Sequence, residues 1–162
     1  MRAAQAGKRH LVVGGAEDIG AILVDILLHK ALNVRATTAD KWKANDQGPI
    51  AWAYLDLESG EGIQQAFTGV DRACIAVPTN VADAHEVVSP LLAEAKRRRL
   101  EKVVLLTTAA PDSAVLRCEA ELAHSGLRHD ILRVQPGDDP HAVAACAAQL
   151  LTREDLGARA LT

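Results

Sequence analysis

The segment VVGGAEDIG, residues 12–20, sets glycines at 14, 15 and 20 between an apolar run and a helical pattern. Such a turn lets the backbone approach a pyrophosphate closely and lets the following helix pack tightly on the preceding strand. Its remaining residues include Glu17, Asp18 and Ile19, so two carboxylates stand beside the glycines. Other polar residues fall at the ends of later apolar runs: Asn80, Asp83, Asp112, Asp138 and Asp139, with His85 one turn into a long helix. A histidine with one or two carboxylates around a crevice could run general acid–base chemistry without a cofactor. Each also has an ordinary structural use, since carboxylates cap helices and a histidine on a helix surface is commonly inert. His124 and His129 flank a turn, and neither has a second ligand at metal-binding spacing, so no metal is expected. There is no G-x-S-x-G elbow and no P-loop, which leaves serine-hydrolase and nucleotide-hydrolase readings without support.

The elements that must position these residues alternate regularly. Apolar runs at 9–14, 33–37, 50–54, 72–77, 101–106 and 129–134 read as six strands. Helical patterns fall at 18–30, 63–67, 81–99, 113–125 and 142–151, with Pro90 as a kink in the third and a polar loop at 40–49. Strands without polar alternation, separated by helices, predict an α/β fold: a doubly wound, mostly parallel six-stranded sheet with helices on both faces. In such a sheet ligands bind beyond the carboxyl ends of the strands, at the switch in strand order. That rim is expected from Gly14 to Asp18, Thr37 to Asp40, Asp56, Val77 with Pro78 through Asn80, Thr107 to Asp112, and Gln135 to Asp139.

With 162 residues the chain reads as a single domain, residues 1–162, whose first eight residues form a flexible segment. An apolar content of 49%, a charged content of 24% and a net charge of −3 exclude disorder and a disulfide scaffold. No run of 18 uncharged apolar residues exists, and the apolar stretch before Glu17 is too short for a signal peptide, so no membrane partner and a cytoplasmic location are expected. Cys74, Cys118 and Cys146 each lie in an apolar run and read as buried free thiols of a reducing compartment. A pI near 6.0, four aromatic residues and one basic cluster, Lys96 to Arg99, speak against nucleic acid.

The glycine turn, LDL at 55–57, GVDRACIAVP at 69–78, KVVLLTT at 102–108 and SGLRHDILR at 125–133 follow in the order found in one known family. With Glu119 seven residues before Gly126, the chain resembles the NmrA-like branch of the atypical short-chain dehydrogenase/reductases from about residue 9 onward. The resemblance implies a Rossmann-type fold and NAD(P) binding at Gly14, Gly15, Glu17, Asp18, Ile19, Gly20, Val77 and Pro78. It also implies that Asp56 approaches the adenine and that Thr107 and Thr108 stand where relatives carry a serine pair near the nicotinamide.

Several departures bear on that expectation. Glu17 falls on the middle glycine of the family's turn, where the backbone meets the pyrophosphate. At an effective dielectric near 20 and ~4 Å, two like charges repel by roughly 4 kcal/mol, about a thousandfold in affinity. Alternatively Glu17 and Asp18 cap the helix, the protein's own carboxylates replacing the phosphate. Ala39 stands where NADPH-preferring relatives carry arginine, with Asp40, Lys41 and Lys43 beside it. The Tyr-x-x-x-Lys pair of the main short-chain reductases is absent, because the one tyrosine, Tyr54, lies in the third strand. The substrate lobe of the family is largely missing, so the pocket is open or completed by a second copy, and a homodimer is expected.

Three readings follow. The chain is a small NAD(P)-dependent reductase acting on a small molecule, with Thr107 positioning the substrate. Or it has lost the cofactor and is an isomerase, cyclase or lyase working through rim acids such as Asp112 and through His85. Or it binds without turnover, as a cofactor sensor or partner protein.

Overall fold

The computed structural model describes residues 7–15, 17–45 and 47–154. Six strands, β1 (Arg9–Val13), β2 (Asn33–Thr38), β3 (Ile50–Tyr54), β4 (Arg72–Ala76), β5 (Lys102–Thr108) and β6 (His129–Val134), form one sheet in the order β3-β2-β1-β4-β5-β6. Every pairing is parallel. The helices are α1 (Asp18–His29), α2 (Ile63–Phe67), α3 (Ala84–Arg97), α4 (Ser113–Ala123) and α5 (Pro140–Thr152). The direction of winding reverses between β1 and β4, which pair with Val12 opposite Cys74, and this is the switch point at which a crevice must open.

Successive strand residues point to opposite faces, and the two faces build two cores. Leu11, Val13, Ile75 and Leu105 pack under α2, α3 and α4 with Phe67, Val88, Leu91 and Leu122. Val12, Val34, Cys74 and Val104 pack under α1 and α5 with Leu23, Leu27, Ala147 and Leu151. Each fully buried large apolar side chain contributes about 1.5–3 kcal/mol. Phe67 therefore holds α2, which at five residues could not persist by propensity alone.

The structure departs from expectation at several points. The polar loop at 40–49 contains a single 3-10 turn, Lys41–Lys43, capped by the Asp40 carboxylate, which accepts from the Trp42 amide at 2.9 Å. The third helix begins at Ala84 because Asp83 caps it, accepting from the His85 amide, and Pro90 lies within it. The apolar runs are interrupted at their amino ends by His10, Arg72 and Lys102, all buried. Lys102 is neutralised by Asp130 at 2.5 Å. Arg72 is neutralised by Glu101, and its guanidinium also donates to the carbonyls of Leu151 and Arg153, closing the end of α5.

Cys74 and Cys118 are buried, and burial pushes their thiols up to about 12 and about 11. Cys146 is exposed, contrary to expectation, because its apolar run belongs to α5, only one face of which is covered. Residues 1–6 of the segment expected to be flexible lie outside the described residues, while Lys8 is held by Glu101 at 2.9 Å. The apolar faces expected from a missing lobe are small: among the described residues the exposed large apolar side chains are Trp42 and Leu116. No helix among these residues is long and apolar enough to cross a membrane.

Candidate functional site

A cleft of about 530 Å3 opens at the carboxyl ends of β1 and β4. One wall is the turn after β1 and the first residues of α1: Gly14, Glu17, Asp18, Ile19 and Gly20. The other is the segment from Ala76 through Val77, Pro78 and Thr79 to Asn80, with Leu57 and Leu106 completing the apolar lining. The turn is over-determined by its glycines. Gly14 has φ +86°, a left-handed conformation that suits glycine, and its amide donates to Thr37 Oγ1 at 3.0 Å. At Gly20 a Cβ would lie 2.1 Å from the Gly14 carbonyl oxygen, so only glycine lets α1 start against the strand end. Gly15 is buried beneath the turn against Ala36 and does not line the cleft.

Glu17 is the N-cap residue of α1 by backbone, with φ −100° and ψ 175°, an extended conformation open to any side chain. Its carboxylate makes no hydrogen bond to the helix, so the expectation that Glu17 satisfies the helix terminus itself is not met. Backbone amides at the start of α1 are thus left for water or a ligand, as at other helix N-termini that receive anions. Glu17 and Asp18 are exposed at the mouth of the same cleft. The residues present therefore fit the phosphate-bearing part of a dinucleotide through backbone shape and donors, and Glu17 with Asp18 opposes it in charge.

The other candidates scatter. Thr107 is buried beside the cleft, and its hydroxyl donates to Glu119 Oε2 at 2.9 Å. Arg133 closes on the same carboxylate with contacts of 3.1 and 2.5 Å. Hydrogen bonds from Arg133, then from Thr107, hold the Glu119 carboxyl below the usual range against the opposing effect of burial. Thr107 can accept from a ligand but has no proton left to donate. His85 faces away from the crevice: its Nε2 lies 2.8 Å from Glu121 Oε1, in a separate groove between α3 and α4. Asp112 caps α4, accepting from the Val115 amide at 2.9 Å. Asp56 accepts from the Glu58 amide at 3.1 Å and is a turn residue outside the cleft lining. Thr107, His85 and Asp112 therefore do not converge.

Sequence reasoning missed Leu57, Ala76 and Leu106 as lining residues. For Ala76 and Leu106 the position near the ends of β4 and β5 was the available signal, whereas Leu57 comes from the segment after the edge strand β3. It also placed no partner on Arg133. At the outer end of β2, Lys43 Nζ lies 4.2 Å from the centre of a Trp52 ring and Lys41 Nζ 5.0 Å from that of Tyr54, with Glu61 3.7 Å from Lys41. The lysines that could have compensated for Ala39 are thus engaged on aromatic faces.

No protein-family model and no curated protein sequence matches this chain. Many solved structures do. The Citrobacter sp. triphenylmethane reductase complexed with NADP(H) superposes with a TM-score of 0.78 at 15% identity, over 90% of this chain and 66% of that one. A Staphylococcus aureus nucleoside-diphosphate-sugar epimerase gives 0.67 at 16% identity, over 77% of this chain and 50% of that one. An anaerobillin reductase from Escherichia coli O157:H7 gives 0.68 at 17% identity, over 88% of this chain and 90% of that one. The chain thus spans one half to two thirds of the length of the first two and most of the third. The shared architecture establishes that this chain has the Rossmann-type fold of these structures.

Proposed function

We propose that this chain is a small dinucleotide-dependent reductase acting on a small molecule at the cleft between β1 and β4. The observation that carries the reading is the glycine turn opening onto an α1 terminus whose N-cap residue, Glu17, makes no side-chain cap. Gly14, Gly20 and the first amides of α1 would hold the pyrophosphate, with Val77 and Pro78 as the facing wall. A bound nicotinamide would supply a hydride. The chain's own contribution is to orient and to exclude water: Leu57, Ala76 and Leu106 dry the cleft, while Thr79 and Asn80 offer hydrogen bonds. Glu17 and Asp18 are the lining side chains of a type that can carry a proton to or from a substrate. Support also comes from the reductases among the structural neighbours, one of them of nearly the same length.

A second reading is favoured by Glu17 itself: cofactor-independent isomerase, cyclase or lyase chemistry run by the two carboxylates in the same cleft. Calorimetric titration of the chain and of Glu17→Gly with NADH and NADPH separates the two. Micromolar binding by the natural chain supports the reductase reading, and turnover of a carbonyl, imine or quinone distinguishes it from a sensor. No binding by the chain, restored in Glu17→Gly, overturns it in favour of the cofactor-free reading. A second copy of the chain completing the open side of the cleft belongs to the proposal, and a monomer in sedimentation at high concentration removes that part.

A further inference from the structure

At the opposite end of the sheet, around the amino ends of β4 and β5, lies a groove of about 750 Å3 that the cleft does not share. Its lining includes five cations, Lys8, Arg72, Lys96, Arg99 and Arg128, against two carboxylates, Glu101 and Glu154. Glu101 is taken by Lys8 at 2.9 Å and by Arg72 at 3.2 Å, and Glu154 lies 3.6 Å from Arg72. The basic run that ends α3 divides by side. Arg97 and Arg98 both close on Glu94 at 2.5 Å and do not line the groove. Lys96 and Arg99, which do line it, meet no carboxylate among the described residues.

Two further features mark the place. Arg72 is 1% exposed, and its Nη2, on a wall of the groove, makes no hydrogen bond among the described residues, Glu154 Oε2 standing 3.6 Å from it. Arg99 has φ +54°, a left-handed conformation in which an L-residue is strained and glycine is not. It closes α3 there, its amide donating to the Lys96 carbonyl and the Leu100 amide to the Ala95 carbonyl. Ala31 adopts the same conformation after α1 (φ +61°), so the strain alone assigns no role. At position 99, however, it coincides with an unpaired guanidinium in a basic groove. Cations at a helix C-terminus are favourable in themselves, but that does not require Lys96 and Arg99, which meet no carboxylate among the described residues, to gather with Arg72 around one concavity.

We propose that this groove binds a small anionic ligand bearing a phosphate group, held by Lys96 and Arg99 at the rim and Arg72 at the wall. Its volume is that of a small-molecule site, and guanidinium groups suit phosphate oxygens in geometry as well as charge. The inference is independent of the reading of the cleft.

Inorganic phosphate is the probe, titrated into the full chain at ionic strength held constant with sodium chloride and followed by thermal unfolding and calorimetry. A saturable rise in melting temperature is expected, with affinity weakened about tenfold in Lys96→Ala and in Arg99→Gly, the loss of one charge-assisted contact. Folding is not at risk in Arg99→Gly, because relief of the left-handed strain should raise the melting temperature without phosphate by about 2–4 °C. Ala31→Gly makes the same backbone change elsewhere and should retain phosphate binding in full. The proposal is overturned by any of four results: no saturable shift, an equal shift from chloride, an affinity undiminished in both groove variants, or a loss of binding in Ala31→Gly. Undiminished affinity would send the phosphate to another place such as the α1 terminus.

Discussion

The Thr107 hydroxyl donates to Glu119 Oε2 at 2.9 Å, joining the carboxyl end of β5 to α4 in the place where the family resemblance would set a substrate-facing hydroxyl. Arg133 on β6 meets the same carboxylate, so three elements are tied at one buried charge. A hydroxyl committed in this way stabilises the frame around the cleft and has no proton to offer a developing oxyanion. Whatever proton the proposed reduction needs must come from Glu17, Asp18 or water at the cleft mouth.

Thr107→Val removes the donor and leaves part of a buried carboxylate unsatisfied. The expected result is a loss of about 1.5–3 kcal/mol of stability with dinucleotide affinity unchanged, read by urea unfolding beside calorimetry. A collapse in affinity at full stability would instead place Thr107 in the ligand site.

The engaged lysines at the end of β2 bear on cofactor choice. Lys43 over Trp52 and Lys41 beside Tyr54 and Glu61 are not presented to a 2′-phosphate, and Asp40 stands next to them. If the dinucleotide binds, NADH should bind at least about tenfold more tightly than NADPH, one lost charged contact. Ala39→Arg should narrow or reverse the ratio. Equal affinities in the natural chain would show that the lysines leave their rings.

Most of the fold was legible because its signals are local. Apolar runs ended by Gly14 or Pro78 read as strands, Gly126 ends a helical pattern, and the alternation of the two predicts a parallel sheet. The glycine turn was legible for the same reason, since Gly14 and Gly20 answer to backbone geometry within seven residues. The site chemistry was not, because it depends on where helices are turned about their axes. Asp83 fixes the start of α3, and that phase sends His85 to Glu121 on α4 instead of to the crevice. Nothing near Thr107 in the chain announces that Glu119 and Arg133 will meet it. Nor does an apolar strand pattern show that its amino end will bury Arg72 and Lys102 beneath salt bridges.

Gly20→Ala tests the turn directly. A methyl group 2.1 Å from the Gly14 carbonyl oxygen cannot be accommodated without moving α1 off the strand end. A loss of about 2–3 kcal/mol is expected, the penalty of overpacking against backbone, together with loss of any dinucleotide binding. Full stability by chemical denaturation would mean that the turn has slack that the structure does not show.

His10 supplies a pH signature that is separate from the cleft. It is fully buried at the amino end of β1, and burial pushes its pKa below 6.5, with Arg72 adding to the effect. Backbone contacts at Asn33 and Lys8 and the Asp71 carboxylate pull the other way without reversing it. The folded state therefore resists a proton that the unfolded chain takes up near pH 6.5. Stability from this group is complete above that pH and declines as the pH falls below it, by at most about 1.4 kcal/mol per pH unit, until the lowered folded pKa is passed. His10→Leu should remove that slope and leave the acid unfolding set by the paired carboxylates Glu94, Glu101 and Glu119, whose pKa values are lowered and whose contributions fade only in the carboxylate range. Unfolding free energies measured from pH 7.5 to 5 in both proteins decide the matter. Parallel curves would mean that His10 takes up its proton at the same pH folded and unfolded, and a natural chain that gains stability over His10→Leu as the pH falls would place a protonated His10 in the fold, with Asp71 as its counter-charge.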